Sequence, residues 1–149
     1  KEDASEEDLK AASKIAQAME FIDNKPEGFD TEIAQGGTNV SGGQRQRLSI
    51  ARALVKKPES LFLMIHSQRL TFKTDAKLRK ALNALCEETR STVLMVAQRI
   101  SSIMHADRIV VLDKGAIVGI GTHKELMETC DVYKEIAYSQ LSKEELENE

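Results

Sequence analysis

The first third of the chain carries apolar residues at helical spacing. They recur from Leu9 to Met19, and Ser5 and Asp8 precede them with the spacing of a capping box. Because a Pro-Glu-Gly run follows, we predict one helix that begins after Ser5 and ends near Asn24.

The rest of the chain alternates between helix-like and strand-like patterns. In chain order, the patterns predict a helix over 44–57, a buried strand over 61–65, a helix over 75–90, a buried strand over 91–97, two short strands joined at Lys114-Gly115, and helices over 122–130 and after Asp131. Strands that alternate with helices predict an α/β fold with at least one parallel pair of strands.

Composition narrows the class of protein. With 149 residues, 41% of them hydrophobic and 30% charged, the chain is globular, and its net charge of −3 argues against nucleic acid as the main partner. Cys86 and Cys130 are far apart and are interpreted as two reduced thiols. No apolar run approaches the roughly 18 residues that would span a bilayer. Because the chain starts without Met, we expect it to be a piece of a longer protein.

A glycine-rich turn opens the second predicted helix. Its sequence is Ser41-Gly42-Gly43-Gln44. Glycines allow backbone N–H groups to approach a phosphate, the hydroxyl adds a donor, and the start of a helix supplies positive potential. Four residues alone are a weak signal, and a purely structural turn is the alternative.

Longer motifs around this turn point to one family. The segment VSGGQRQRLSIARAL (40–54) resembles the signature motif of ATP-binding-cassette (ABC) ATPases. Segment 31–37 resembles the loop before the signature in ABC exporters, and segment 4–22 resembles their helical subdomain. Segment 96–126 resembles the switch loop, the strands after it and the C-terminal helix. The resemblance therefore covers essentially the whole chain.

The resemblance implies an architecture and a set of partners. The fold would be part of a P-loop NTPase (ABC ATPase) domain. Residues 1–57 would form the helical subdomain with the signature, and residues 58–149 the C-terminal half of the RecA-like core. The partners would be a second nucleotide-binding domain and the transmembrane domain of the same transporter.

Roles follow residue by residue from the same resemblance. Each ATP would lie between two nucleotide-binding domains. Ser41 and the backbone of Gly42 and Gly43 would touch the γ-phosphate of an ATP held by the opposite domain, and Gln44 would steady the turn. Glu32 would face the coupling helices of the transmembrane domain.

Basic and histidine residues near these motifs have plainer interpretations. Arg45, Arg47 and Arg52 could suggest a nucleic-acid patch, but the acidic net charge favours a solvated or salt-bridged helix face. His105 and His123 are not at the switch position, so surface or structural roles are expected.

The phosphate loop of the family is missing. No GxxxxGKS/T motif occurs in the chain, and the glutamine loop that follows it in the family is absent too. The chain therefore has no lysine for the β- and γ-phosphates and no Ser/Thr for Mg²⁺. We expect ATP and Mg²⁺ only in an intact dimer, no metal site in this chain, and no activity from it alone.

The strand after the signature also departs from the family pattern. The family has an aspartate for Mg²⁺ at Met64, an acidic general base at Ile65, and an aspartate at Thr71. Methionine and isoleucine can neither hold a hydrated Mg²⁺ nor take a proton from water. One explanation is a decayed pseudo-ATPase.

A pair of compensating frameshifts is the explanation we favour. Methionine is encoded only by ATG and isoleucine codons begin with AT, so the junction of Met64 and Ile65 reads GAT, aspartate, one nucleotide out of register. Permitted codons for Leu61 to Phe72 translate in that register as IFDDSFSALDF, the acidic motif included. His66, Gln68 and Arg69 would then be accidental products of the frame.

A second departure lies in the switch loop. Gln98 stands where the family usually carries a histidine that contacts the γ-phosphate. Glutamine there, with Asp-Asp in place of Asp-Glu in the hidden motif, resembles the weakly hydrolysing subunit of heterodimeric bacterial multidrug-type exporters. A tolerated polar loop residue is the alternative.

These features predict a function. We expect the C-terminal part of the nucleotide-binding domain of a heterodimeric ABC exporter, at the cytoplasmic face of a bacterial plasma membrane. It would supply its signature to a partner's ATP, couple hydrolysis to export, and be poorly stable alone. The alternatives are a non-catalytic pseudo-ATPase interaction module and a fragment of a soluble ABC ATPase.

Overall fold

A computed structural model describes residues 3–65 and 70–141. His66, Gln68 and Arg69 lie outside the described residues. Contacts divide the chain into two compact units, Lys1–Val96 and Ala97–Glu149. The division into 1–57 and 58–149, inferred from the family, stays a prediction.

The first unit combines helices with a parallel strand pair. Its elements are α1 (Glu6–Ile15), α2 (Met19–Ile22), α3 (Gly42–Leu54), β1 (Ser60–Met64), α4 (Phe72–Thr89) and β2 (Thr92–Val96). Residues Leu61 and Val93 are partners in the β1–β2 register, as are Leu63 and Met95. The predicted parallel pair is thus confirmed.

The prediction of one helix up to Asn24 is wrong, because the chain turns at Gln17. Gln17 has a φ of 58°, its N–H donates to the Lys14 carbonyl at 3.1 Å, and the Ala18 N–H donates to the Ser13 carbonyl at 2.7 Å. These are the two bonds of a Schellman motif, which normally has glycine at the left-handed position. Because no glycine stands here, no sequence pattern predicts this helix end.

The two strands predicted as buried are covered on one face only. Leu61 and Leu63 are buried, whereas the side chains between and after them, Phe62 and Met64, are 75% and 70% exposed. On β2, Leu94 is exposed on that same face. The continuous apolar run predicted burial on both faces, but among the described residues helices cover only one face of the strand pair.

The covered face of the β1–β2 pair contributes to a hydrophobic core. Leu78 and Leu82 of α4 are fully buried there, together with Ala16 and with Ile50 and Leu54 of α3. Helix α3 is therefore anchored by its apolar face, which holds its first turn in a fixed position relative to β1.

The second unit contains a hairpin and two helices. Strands β3 (Ile109–Asp113) and β4 (Ala116–Gly121) pair antiparallel, followed by α5 (His123–Thr129) and α6 (Asp131–Gln140). Lys114 and Gly115 both have positive φ, at 48° and 80°, as a tight hairpin turn requires. The predicted hairpin and both predicted helices are confirmed.

A separate core lies inside the second unit. Tyr133 and Ala137 of α6 pack with Leu126 of α5, Val111 of β3 and Ile100, which starts a short 3₁₀ turn. Within the described parts of the chain, no helix is both long and apolar enough to cross a membrane.

Candidate functional site

The start of α3 is held by a reciprocal pair of hydrogen bonds. Ser41 has extended backbone angles and caps the helix, and its Oγ accepts from the Gln44 N–H at 3.2 Å. The Gln44 Oε1 in turn accepts from the Ser41 N–H at 2.9 Å. This capping box fixes the turn from its own residues. Since Oγ acts as an acceptor here, the hydroxyl proton of Ser41 can donate to another group.

The first turn of α3 offers backbone donors to an anion. Gly42 and Gly43 occupy it, and the first N–H groups of a helix have no intrahelical acceptor. Neither residue has a side chain that would keep a ligand away from the backbone. The 13 residues of α3 add the positive end of a helix dipole. The turn can therefore receive a phosphate brought from outside.

Two residues organise the loop before α3. Asn39 accepts from the Ala34 N–H at 3.0 Å through Oδ1, and its Nδ2 donates to the Glu32 carbonyl at 2.9 Å. Arg45, one turn into α3, donates to the Gly37 carbonyl at 2.8 Å. The loop and the glycine-rich turn are thus tied together. Sequence reasoning missed Asn39, whose only signal was its position in a loop rich in glycine.

Gly37 shows how tightly Arg45 is fitted. Gly37 has a φ of 67°, and a Cβ added to it would lie 2.9 Å from the Arg45 Nε. A side chain at this position would meet the guanidinium as well as a strained backbone. Arg45 thus has a positioning contact beyond the solvated helix face that was predicted for it.

Arg47 joins α3 to the break between α1 and α2. It donates to the Gln17 carbonyl at 2.7 Å, and its guanidinium carbon lies 4.9 Å from the centre of the Phe21 ring. The Glu20 Oε2 lies 3.7 Å from the Arg47 Nη1, so the predicted salt-bridged helix face is part of the environment of Arg47. Arg52, by contrast, is exposed. The three arginines therefore do not share one exposed basic surface.

Glu32 lies on the exposed side of the loop before α3. Its carbonyl is the acceptor of the Asn39 side chain, so its backbone is fixed while its carboxylate faces solvent. This placement leaves the carboxylate accessible to another protein, and its role at the coupling helices stays a prediction.

Of the three positions where the resemblance implies acidic groups, Met64 and Ile65 lie at the end of β1 and Thr71 lies at the start of α4. Met64 is exposed, and its carbonyl accepts from the Gln46 Nε2 at 3.4 Å. Ile65 is 4% exposed, and its N–H donates to the Val96 carbonyl at 3.0 Å. Thr71 caps α4 by accepting from the Thr74 N–H at 3.2 Å.

The side chains of Met64 and Ile65 do not fit a magnesium ion. Mg²⁺ takes oxygen ligands, above all carboxylates, and neither methionine nor isoleucine supplies one. Across residues 3–65 and 70–141, no group of three or more His, Cys, Asp or Glu side chains could hold a metal.

Gln98 belongs to the second unit. Gln98 is exposed at a bend after β2, and its backbone carbonyl accepts from the Gln140 Nε2 at 2.9 Å. His105 is exposed, whereas the His123 Nδ1 lies 2.7 Å from the hydroxyl of buried Tyr133. The structure brings Ser41, Gly42, Gly43 and Gln44 together in one turn, and it places Gln98 in a different unit from them.

The fold is mixed α/β, and the first turn of α3 leaves backbone donors without an intrahelical acceptor. Comparisons with known proteins show which class of protein this chain is similar to. Residues 1–63 match the family model described as ABC transporter.

Curated relatives agree with that match. The chain is 42% identical over 144 residues to an uncharacterized ABC transporter ATP-binding protein, YfiB, of Bacillus subtilis (strain 168). That alignment covers 97% of this chain and 24% of the relative. It is 41% identical over 133 residues to a putative multidrug export ATP-binding/permease protein of Staphylococcus aureus (strain NCTC 8325 / PS 47), covering 89% of this chain and 23% of the relative.

A solved structure extends the likeness to the fold. A bacterial Atm1-family ABC exporter with ATP bound superimposes with a TM-score of 0.86 at 33% identity, over 96% of this chain and 25% of that one. The chain is thus similar to ABC transporter ATP-binding proteins, among them a putative multidrug exporter. It spans about a quarter of their length.

Proposed function

We propose that the chain supplies the signature motif of an ABC exporter to ATP held by a second nucleotide-binding domain. Hydrolysis in that pair would drive export through a transmembrane domain at the cytoplasmic face of a bacterial membrane. The observation that carries the proposal is the self-capped turn of Ser41 and Gln44, in a chain matching ABC exporter ATP-binding domains.

The chemistry of the turn suits a γ-phosphate. The Ser41 hydroxyl would donate to one phosphate oxygen, and the N–H groups of Gly42 and Gly43 would donate to others. Hydrogen bonds to charged groups contribute about 1.5–3 kcal/mol each. Because the capping box already orders this turn, little conformational entropy remains to be lost when phosphate binds.

The rest of the ATP site would come from elsewhere. The sequence has no phosphate loop, and one apolar face of the β1–β2 pair, including Phe62 and Met64, is exposed. Both facts support a domain whose phosphate-loop half is not in this chain. Mg²⁺ would be held by that phosphate-loop half and by the second nucleotide-binding domain, since Met64 and Ile65 do not fit the ion.

The frameshift hypothesis accounts for the acidic groups that are missing. Met64 is 70% exposed at the carboxyl end of a parallel strand, where an aspartate would be hydrated. Thr71 is an N-cap, a position where aspartate serves as well as threonine. At both positions the fold would accept the residues that the shifted frame encodes. Ile65 is buried, so an acidic group there would need partners from the missing half.

A degenerate site in a heterodimer is proposed from Gln98. A neutral amide at the switch position cannot exchange protons as an imidazole does. The composite site that uses Gln98 would hydrolyse ATP slowly, whereas the intact signature of this chain would complete the competent site of its partner.

ATP-dependent association tests the proposal. The chain would be mixed with intact nucleotide-binding domains of the Bacillus and Staphylococcus relatives, and binding would be measured with and without ATP. We expect ATP to strengthen association and Ser41→Ala to weaken it at least tenfold.

Ser5→Ala is the matched control. Ser5 caps α1 through a bond to the Asp8 N–H at 3.1 Å, nearly the same as that of Ser41. Each alanine variant should lose about 1 kcal/mol of stability, yet only Ser41→Ala should affect association. Equal effects of the two variants on association would rule out the proposed phosphate contact.

The non-carboxylate residues at Met64 and Ile65 favour a second candidate, a pseudo-ATPase module that only docks on another ATPase. Nucleotide reads through the codons for Pro58 to Asp75 distinguish the two. We expect the corrected frame to encode the acidic motif. Reads that confirm Met64 and Ile65 would support the docking module and contradict the frameshift.

A further inference from the structure

The side chain of Gln140 bridges two backbone groups of the loop that carries Gln98. Its Nε2 donates to the Gln98 carbonyl at 2.9 Å, and its Oε1 accepts from the Ile100 N–H at 2.9 Å. The amide thus binds the residues on either side of Arg99, whose backbone is extended, as one residue of a neighbouring parallel strand would. A rotated amide would set donor against donor and acceptor against acceptor, so the two backbone partners fix its orientation.

Packing holds both ends of this bridge. Ile100 is buried in the core of the second unit together with Ala137 and Tyr133, which lie about one turn and about two turns before Gln140 on α6, respectively. The loop and the end of the helix are therefore anchored by the same cluster. Gln98, two residues before Ile100, is exposed.

We propose that Gln140 is a positioning residue, which clamps the backbone of the Gln98 loop to α6 and so sets the direction of the exposed Gln98 side chain. A fixed backbone with an exposed side chain is the arrangement that presents a group to a ligand at constant geometry. The catalytic meaning of the clamp rests on the proposed function, because it assumes that Gln98 faces nucleotide. The clamp itself does not depend on that assumption.

Because Gln140 bonds to the loop that carries Gln98, the position of the end of α6 would affect the conformation of that loop. Any partner that unwinds or displaces the last turn of α6 would release both hydrogen bonds at once. The loop would then lose the two hydrogen bonds that the Gln140 side chain makes to it, and Gln98 would sample more directions.

Amide hydrogen exchange in the full chain tests the clamp without nucleotide or partner. Gln140→Leu removes both bonds and should speed exchange of the Ile100 N–H about tenfold, the effect expected for one lost hydrogen bond. The Leu141 N–H, which donates to the Ala137 carbonyl at 2.8 Å, reports whether the end of α6 stays folded. Ser139→Ala, on the same turn, is the control and should leave Ile100 unchanged.

Gln140→Glu separates the two bonds. Its carboxylate still accepts from the Ile100 N–H but cannot donate to the Gln98 carbonyl until it is protonated. Protection of Ile100 should therefore persist at neutral pH, while the carbonyl resonance of Gln98 and the side-chain couplings of Gln98 change and recover on acidification. A merely structural residue would not give this reversal. Unchanged Ile100 exchange in Gln140→Leu, or equal acceleration at Leu141, would overturn the clamp.

A double-mutant cycle tests its catalytic meaning. ATP hydrolysis would be measured for an intact domain, in which this chain is joined to its proposed phosphate-loop half, assembled with a partner domain, comparing Gln140→Leu with and without Gln98→Ala. If Gln140 acts through Gln98, its effect should vanish in the Gln98→Ala background. Additive effects, or no effect of either variant, would overturn the positioning role, while the exchange result would still decide whether the clamp exists.

Discussion

Replacement of Ser41 by aspartate separates helix capping from phosphate binding. Aspartate caps helices as well as serine does, and its carboxylate can accept from the Gln44 N–H that now bonds to the serine Oγ at 3.2 Å. The variant has no hydroxyl proton to donate, however, and it places a negative charge where the γ-phosphate is proposed to bind.

The two effects differ widely in size. The aspartate keeps the helix cap, and its negative charge at the start of α3 is favourable by about 0.3–1 kcal/mol. The free energy of unfolding should therefore change by less than about 1 kcal/mol. Two unit negative charges at about 4 Å repel by roughly 1 kcal/mol in water and roughly 4 kcal/mol at an effective dielectric constant of about 20. Association with an ATP-loaded partner domain should therefore weaken by about fivefold to several hundredfold.

Urea unfolding and ATP-dependent association together provide the assay. Ser5→Asp is the matched control, because Ser5 caps α1 with the same geometry and has no proposed ligand. We expect normal unfolding for Ser41→Asp with strongly weakened association. If Ser41→Asp associates in ATP as tightly as the unaltered chain, no phosphate lies at this turn and the reasoning is refuted.

Two further predictions concern stability. Met64→Asp should change the free energy of unfolding by less than about 0.5 kcal/mol because the residue is exposed, whereas Ile65→Asp should cost about 3–5 kcal/mol in the isolated chain because it buries a carboxyl group. Equal costs in urea titrations would show that the exposed and buried faces of β1 are misassigned. Hydrogen bonds from the backbone and hydroxyl of Thr122 hold the pKa of the Glu125 carboxyl below its ordinary value. Its stabilising contribution is therefore present above that ordinary pKa and is lost as pH falls through the folded-state pKa. Glu125→Gln, which keeps an oxygen acceptor, should make unfolding less sensitive to acid, and an unchanged pH profile would contradict this.

Much of the fold could be predicted because its signals are local. The hairpin follows from Lys114-Gly115, which adopt the positive φ values of a tight turn. The start of α3 follows from Ser41 and Gln44, whose capping-box spacing is realised in full. Signals of this kind depend on residues that are adjacent or a few positions apart, which are visible in a single sequence.

The features that were missed depend on distant contacts or on conformations unusual for their residues. Gln17 ends α1 in a left-handed conformation that sequence patterns assign to glycine. The apolar run of β1 resembles a strand buried on both faces, but burial depends on what packs against it. Gln140 lies 42 residues from Gln98, so no local pattern could reveal their hydrogen bond.

The glycine-rich turn itself was predictable, but its support was not. Arg45 and Asn39 contact backbone carbonyls and amides of the preceding loop, and such contacts leave no mark on the sequence. The binding of phosphate by Ser41, Gly42 and Gly43 remains a prediction, supported by the geometry of the turn and by the family.

The most direct test of the central proposal is a titration of the ¹⁵N-labelled chain followed through the amide resonances of Gly42 and Gly43. An unlabelled intact partner domain would be added first without nucleotide and then with ATP. The account predicts large shifts of both amides only when partner and ATP are present together, since phosphate would then accept from their N–H groups. ATP-dependent binding that leaves both resonances in place would contradict it, because the chain would then engage its partner through another surface.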